Sequence, residues 1–178
     1  MRRLVASTLT IACASLVTGC GALGEALARN NLGELRTVEG AGFSVELPCD
    51  PAESDEAEAV GGVRITGTTL LCDGGDVAYT ASTLKFPRGV PLDLAAGAQG
   101  TAAELGGTVL RNKKVRFGGL AGRDIKVAAD YDGEPALVFQ RVLLRKRTLF
   151  VVQVVVLGDE TTKAPELYGD ILDSFTLD

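Results

Sequence analysis

The chain has 178 residues, of which 23 are acidic, 18 are basic and none is histidine, so its formal net charge at pH 7 is -5. An acidic chain is a poor partner for nucleic acid, which is bound through a surplus of lysine and arginine. The absence of histidine excludes Ser-His-Asp and Cys-His catalytic groups and the usual zinc and haem ligand sets.

The first 21 residues have the pattern of a bacterial export signal. Arg2-Arg3 precedes an apolar segment, residues 4–17, that is too short for a comfortable membrane span. The following Val17-Thr18-Gly19-Cys20 resembles the lipobox of bacterial lipoproteins. This resemblance implies cleavage before Cys20, a diacylglycerol thioether on its sulfur and acylation of the freed amine. We therefore expect residues 1–19 to be a signal peptide and Cys20 to be the lipidated first residue of the mature chain.

The expected lipid anchor predicts a location in the cell envelope. Two or three acyl chains exceed the threshold for stable attachment to a membrane. Gly21 follows the anchor at the position where an aspartate would resemble the inner-membrane retention signal of Gram-negative lipoproteins. In a Gram-negative host, this difference favours the outer membrane, with the domain facing the periplasm.

The mature chain has the size of one domain. Its 159 residues carry 16 basic and 23 acidic side chains, and no later apolar segment approaches eighteen residues. Residues 20–41 are rich in glycine and polar residues, and we expect them to form a flexible tether. Residues 42–178 are then expected to form a single globular domain.

Three strands are predicted in the first half of this domain. Phe43, Val45 and Leu47 alternate with polar residues before Pro48 ends the run. Residues 63–72 and 77–86 are rich in threonine and in β-branched or aromatic residues. The sequence Asp73-Gly74-Gly75-Asp76 joins them as a hairpin turn.

Cys49 and Cys72 remain once Cys13 is removed with the signal peptide and Cys20 is lipidated. In an oxidising compartment, we expect these two residues to form a disulfide. Cys49 follows the first strand and Cys72 ends the second. Pairing of these two strands would bring the cysteines together.

The second half contains two predicted helices and four predicted strands. Small and apolar residues recur at helical spacing within residues 91–105, and Gly106 follows as a stop. Strands are predicted at residues 108–117, 120–130, 135–145 and 148–157, and short turns make neighbours antiparallel. The last of these, TLFVVQVVVL, is apolar on both faces and should therefore be central in the sheet. A helix over residues 165–173 follows.

This order of elements resembles that of the PsbP-like proteins, a family named after an extrinsic subunit of the oxygen-evolving photosystem. The resemblance extends from Gly42 to Leu177 and depends on the motifs FSVELP, GGLAGRD and LDSFTL. It implies one α+β domain in which an antiparallel sheet of about six or seven strands is sandwiched by helices. The histidine-bearing metal sites of some members have no matching residues here, so we expect neither a photosynthetic role nor a cofactor.

Two charged clusters are candidate binding sites. The first contains hard oxygen ligands of the kind that calcium prefers, although an acidic solvated loop would have the same composition; its residues are Asp50, Glu53, Asp55, Glu56 and Glu58. The second is a basic patch that could attract anionic headgroups or an acidic partner, although charged solvent-facing strands would have the same pattern; its residues are Lys113, Lys114, Arg116, Arg141, Arg145, Lys146 and Arg147.

These observations favour a non-catalytic envelope lipoprotein that binds or supports another envelope component. One alternative is a hydrolase that uses paired carboxylates on envelope sugars, since acidic residues are plentiful. Another is a carrier of a small apolar ligand, which would need an unusually large pocket between the sheet and a helix.

Overall fold

The computed structural model describes residues 32–60, 63–131, 133–162 and 164–178. The predicted signal peptide, Cys20 and residues 20–31 of the predicted tether lie outside these ranges. The described ranges contain ten strands, two α-helices and a 3-10 helix at Gly158–Thr162. In chain order, the strands and α-helices are β1 (Arg36–Gly40), β2 (Phe43–Leu47), β3 (Ala52–Val60), β4 (Val63–Asp73), β5 (Val77–Lys85), α1 (Leu94–Glu104), β6 (Thr108–Phe117), β7 (Leu120–Tyr131), β8 (Glu134–Arg145), β9 (Thr148–Leu157), α2 (Ala164–Ser174) and β10 (Thr176–Leu177).

Seven strands form one large antiparallel sheet in the order β3-β4-β5-β9-β8-β7-β6. Its central strand is β9, and residues on both of its faces are buried, which confirms the prediction from its apolar sequence. Gly118 and Gly119 form the two-residue turn between β6 and β7, with φ of 54° and 79°. Two successive positive φ angles are typical of a type I′ hairpin turn, and glycine adopts them without steric cost.

One face of the large sheet, here called the α2 face, is covered by α2 and by a small sheet of strands β1, β2 and β10. Phe43, Val45 and Leu47 of β2 are at most 1% exposed and pack into a core that includes Ile171 and Phe175. The Phe43 and Phe175 rings lie 5.5 Å apart. Burial of these side chains attaches the small sheet and α2 to the central strands.

The opposite face, here called the α1 face, is packed against α1. Asp93 caps this helix by accepting hydrogen bonds from the main-chain N–H groups of Ala95 and Ala96. Ala98 and Ala102 are buried against the sheet. Glycine and alanine along the helix allow its backbone to approach the strands closely, so packing compensates for the low helix propensity of glycine.

The structure confirms the predicted antiparallel sheet with helices on both faces, but it differs from the sequence prediction at three places. Residues 36–40, assigned to the tether, form β1 and pair with β2. The acidic segment assigned to a possible loop forms β3, an edge strand of the large sheet. The predicted pairing of β2 with β4 is wrong, because the two strands lie in different sheets.

The disulfide between Cys49 and Cys72 is nevertheless present, with the two Cα atoms 5.9 Å apart. Cys49 follows β2 of the small sheet, and Cys72 lies in β4 of the large sheet. Both residues are buried in the core of the α2 face. The disulfide therefore connects the two sheets across this core, not two neighbours within one sheet.

Candidate binding surface

Four exposed cations lie on β6, an edge strand of the large sheet. Lys114 and Arg116 face the α1 side, because they alternate along β6 with Asn112, whose side chain donates a hydrogen bond to the carbonyl of Ala95 in α1. Arg111 and Lys113 share the other face with Phe117, whose ring contacts that of Phe175, the residue after α2. Among the strands that the structure describes, only β7 pairs with β6. Positive charge is therefore present on both faces of an open sheet edge.

Arg123 of β7 adds a fifth cation on the α1 side. Its guanidinium donates hydrogen bonds to the main-chain and side-chain oxygens of Asn112, at 3.2 and 2.8 Å. With Lys114 and Arg116, it lines an open groove of about 460 Å³ whose apolar part includes Leu94. We call the surface formed by Arg111, Lys113, Lys114, Arg116 and Arg123 the basic edge.

One acidic residue, Asp124, lies directly opposite a cation of the basic edge, Lys113, and it is already paired with Arg141. None of the five forms an ion pair with a residue in the described ranges, where the one observed salt bridge joins Arg141 to Asp124. β6 itself contains no acidic residue. The four cations on β6 are exposed, and exposed, unpaired cations attract anions at range, so this surface suits an acidic partner.

Arg141 belongs to the interior of the fold. Its Nε and one Nη donate to the two carboxylate oxygens of Asp124 at 2.7 and 2.9 Å, and the two side chains are 16% and 13% exposed. The guanidinium carbon also lies 5.5 Å from the centre of the Phe117 ring. The hydrogen bond to Asp124 raises the pKa of Arg141, against the opposing effect of burial. The sequence-predicted patch therefore loses Arg141 to a structural ion pair.

The remaining predicted patch residues lie at the turn between β8 and β9. Arg145 packs over Phe150, with 5.1 Å between the guanidinium carbon and the ring centre. Lys146 is exposed at a φ of 56°, and Arg147 donates to main-chain carbonyls of the segment after β5. Strand β7 separates this turn from β6. Of the seven predicted residues, the structure brings Lys113, Lys114 and Arg116 together and places the other four elsewhere.

The five acidic calcium candidates lie at the opposite side of the large sheet. Asp50 precedes β3, and the other four belong to that strand. Asp55 accepts a hydrogen bond from the Thr68 hydroxyl at 3.1 Å. No group of three or more acidic or cysteine residues is placed to hold a metal ion within the described ranges. The backbone of β3 is extended, whereas a calcium loop curves around the ion.

A carrier of a small apolar ligand would need a large pocket between the sheet and a helix, and the space between α1 and the sheet tests this alternative. A crevice there has a volume of about 10 Å³ and is lined by residues that include Leu94, Gly97 and Gln140. This volume is about that needed for one water molecule, far below that of a small-molecule site. Gln140 is fully buried and donates to Gln153 at 3.1 Å. The crevice does not support apolar ligand binding.

Tyr168 of α2 provides a test of the packing on the α2 face. The side chain is 9% exposed and contacts Phe139 with ring centres 5.2 Å apart, and its hydroxyl has no hydrogen-bond partner in the described ranges. Burial, with a smaller contribution from Asp124, raises the pKa of Tyr168. The Tyr168 hydroxyl therefore keeps its proton to a higher pH in the folded protein than in the unfolded chain, where tyrosines titrate at about pH 10.

The substitution Tyr168→Phe is expected to change stability at pH 7 by less than about 1 kcal/mol, because the hydroxyl lost is not hydrogen-bonded. In the wild type, the raised pKa contributes stability below about pH 10 that is lost as the pH rises towards the folded-state value. Urea unfolding at several pH values should therefore show a shallower alkaline loss in the variant. Equal slopes for the two proteins would contradict this assignment.

No helix in the described ranges is both long and apolar enough to cross a membrane. No family model matches the sequence, and no curated protein matches it.

Solved structures show what this fold is similar to. Cyanobacterial PsbP (CyanoP) from Synechocystis sp. PCC 6803 matches with a TM-score of 0.57 and 12% identity, over 86% of this chain and 98% of that one. The Ran-binding protein Mog1p of Saccharomyces cerevisiae matches with a TM-score of 0.50 and 11% identity, over 83% and 96% of the two chains. LpqN of Mycobacterium tuberculosis, involved in cell envelope biogenesis, has a TM-score of 0.43 and 17% identity, over 81% and 90%. The match to CyanoP shows that the chain has the α+β, PsbP-like fold that its order of elements predicted.

Proposed function

We propose that this chain is a lipid-anchored, non-catalytic envelope protein whose basic edge binds an acidic protein partner. The observation that carries the proposal is the row of exposed cations on both faces of β6, none of them in an ion pair within the described ranges. The salt bridge observed in the described ranges, between Asp124 and Arg141, joins two mostly buried side chains and has a structural role. The absence of histidine also removes the commonest general acid–base residue.

Location in the envelope is supported by the lipobox-like Val17-Thr18-Gly19-Cys20 and by the disulfide. Disulfides persist in oxidising compartments outside the cytoplasm. Binding to a protein partner is compatible with the fold, since Mog1p, of similar fold, is described as a Ran-binding protein. In this proposal, the lipid holds the domain at the membrane and the basic edge recognises the partner.

Photo-crosslinking in the envelope tests the proposal. Leu110 is 54% exposed beside the basic edge and is uncharged, so benzoylphenylalanine at this position preserves every cation. We expect a discrete crosslinked protein, with its yield reduced about tenfold by K114E/R116E, because two attractions become repulsions. The control R36E/R88E makes the same change of charge at two exposed arginines away from β6 and should preserve the yield.

A second control places the crosslinker at Leu35, which is 46% exposed and precedes β1. This position should not give the same product. Identical products from Leu110 and Leu35 would contradict the proposal, as would a yield unaffected by K114E/R116E. Lipid adducts at Leu110 without a protein product would assign the cations to anionic headgroups and overturn the choice of a protein partner.

A further inference from the structure

We infer that the partner binds by strand addition, with an extended acidic segment pairing along Arg111–Phe117 of β6; the inference rests on the proposed function. Adding a strand to an open sheet edge is a common mode of peptide recognition. Main-chain hydrogen bonds supply affinity in this mode, and side chains at alternate positions supply specificity. Both requirements can be examined on β6.

The regular part of β6 defines the length of the paired segment. The register with β7 shifts between Val109 and Arg111, which is the signature of a bulge, and it then runs without interruption from Arg111 to Phe117. These seven residues span about 23 Å at the usual rise of a strand. Within the described ranges, no strand occupies their outer side. The segment therefore offers seven consecutive positions for a partner strand.

The positions of the cations define the composition of the partner. Arg111 and Lys113 lie on the α2 side, and Lys114 and Arg116 on the α1 side. Directly opposed residues of paired strands have Cβ atoms about 5 Å apart, so each cation can meet an acidic residue across the pair. A partner with acids on one face alone would leave two cations unmatched. We therefore expect acidic residues at successive positions, on both faces of the added strand.

The groove on the α1 side gives this arrangement space. Its volume of about 460 Å³ lies between the edge strand and the start of α1, and Arg123 adds a cation from the next strand. Acidic side chains on that face of an added strand can enter the groove and contact Arg123 as well as Lys114 and Arg116. Like charges also oppose pairing of two copies through β6. The cations on β6 therefore oppose pairing with another basic strand and favour pairing with an acidic one.

The test uses the mature, lipidated protein in a neutral detergent and the labelled peptide Ac-VEDEDEV-amide. The control Ac-VEPDEPDEV-amide has the same five acidic residues, but its prolines prevent continuous strand pairing. We expect the control peptide to bind about tenfold more weakly, and K114E/R116E to weaken the first peptide about tenfold while R36E/R88E changes it less than about twofold. Hydrogen exchange should show new protection of β6 amides with the first peptide alone.

The outcomes separate this inference from the function on which it rests. Equal binding of the two peptides, without protection of β6, would preserve an acid-binding surface and overturn strand addition. Failure of both peptides to bind would overturn both proposals. The chain has an acidic edge of its own in β3. Self-association that is abolished by E53K/D55K would assign the basic edge to a second copy and overturn the external partner.

Discussion

Replacing Cys49 and Cys72 together with alanine is expected to lower the free energy of unfolding by about 3 kcal/mol, since the disulfide closes a loop over a sequence separation of 23 residues. The crosslink restricts the unfolded chain, and its loss increases the entropy gained on unfolding. The effect should be large because the bond joins the small sheet to the large one. Urea unfolding of the oxidised wild type and the variant measures the difference.

Reduced wild-type protein is the matched control for this experiment. If the crosslink is the source of stability, the reduced wild type and C49A/C72A should unfold at similar urea concentrations. Two titratable thiols in denatured, unreduced wild type would contradict the prediction, as would equal midpoints for its oxidised and reduced forms. Peptide binding at low denaturant should persist in the variant, because the disulfide lies on the opposite side of the sheet centre from β6.

The strands that could be predicted from sequence are those with an apolar face that is at least partly buried. β2, β6 and β9 have the predicted bounds, since apolar residues at alternate positions, or β-branched runs, mark strands that pack against other layers. β3 lacks this signal because it lies at an edge and contains glutamate, aspartate and alanine, which are uncommon in strands. β1 was missed for a related reason, since its residues are mostly exposed. Pairing with neighbours, not local sequence, makes these segments strands.

The site could be predicted in part. The sequence prediction named Lys113, Lys114 and Arg116, which a period of two places on both faces of the strand, but it missed Arg111 on the same strand. The position of Arg123 beside β6 and the pairing of Arg141 with Asp124 depend on strand register, and a list of basic residues contains no information on register. The predicted short turns nevertheless carried a usable signal, because the length and position of a turn set the register of its hairpin.

That signal can be stated in residue numbers. Strands β7 and β8 pair residues whose numbers add to 265, and Asp124 and Arg141 are one such pair. A turn at Gly118-Gly119 pairs residues that add to 237, which places Arg123 opposite Lys114. The bulge near Leu110 ends this relation for the first residues of β6. Hairpin arithmetic could thus have found the ion pair and the fifth cation of the basic edge, whereas the disulfide between sheets required the tertiary packing.

The substitution Asp124→Ala is expected to destabilise the fold by about 3 to 4 kcal/mol, because it leaves the mostly buried guanidinium of Arg141 without its anion. Arg141 would lose both hydrogen bonds to the carboxylate while remaining packed against the Phe117 ring. Phe117 contacts Phe175 after α2, so the disturbance falls on the α2 face of the core. Urea unfolding measures the loss.

The double variant D124A/R141M distinguishes loss of the pair from loss of one partner. Replacing a buried ion pair with apolar side chains often changes stability little, whereas removing one charge leaves the other buried without a partner. We therefore expect D124A/R141M to recover most of the stability lost in D124A, and the four proteins of the cycle to give a coupling energy above about 1 kcal/mol. A double variant as unstable as D124A would contradict this account.

By contrast, K114E/R116E should change the free energy of unfolding by less than about 1 kcal/mol, because both side chains are exposed. Burial therefore determines the role of each cation in the large sheet. The mostly buried Arg141 stabilises the domain, whereas the exposed cations on β6 remain available to a partner.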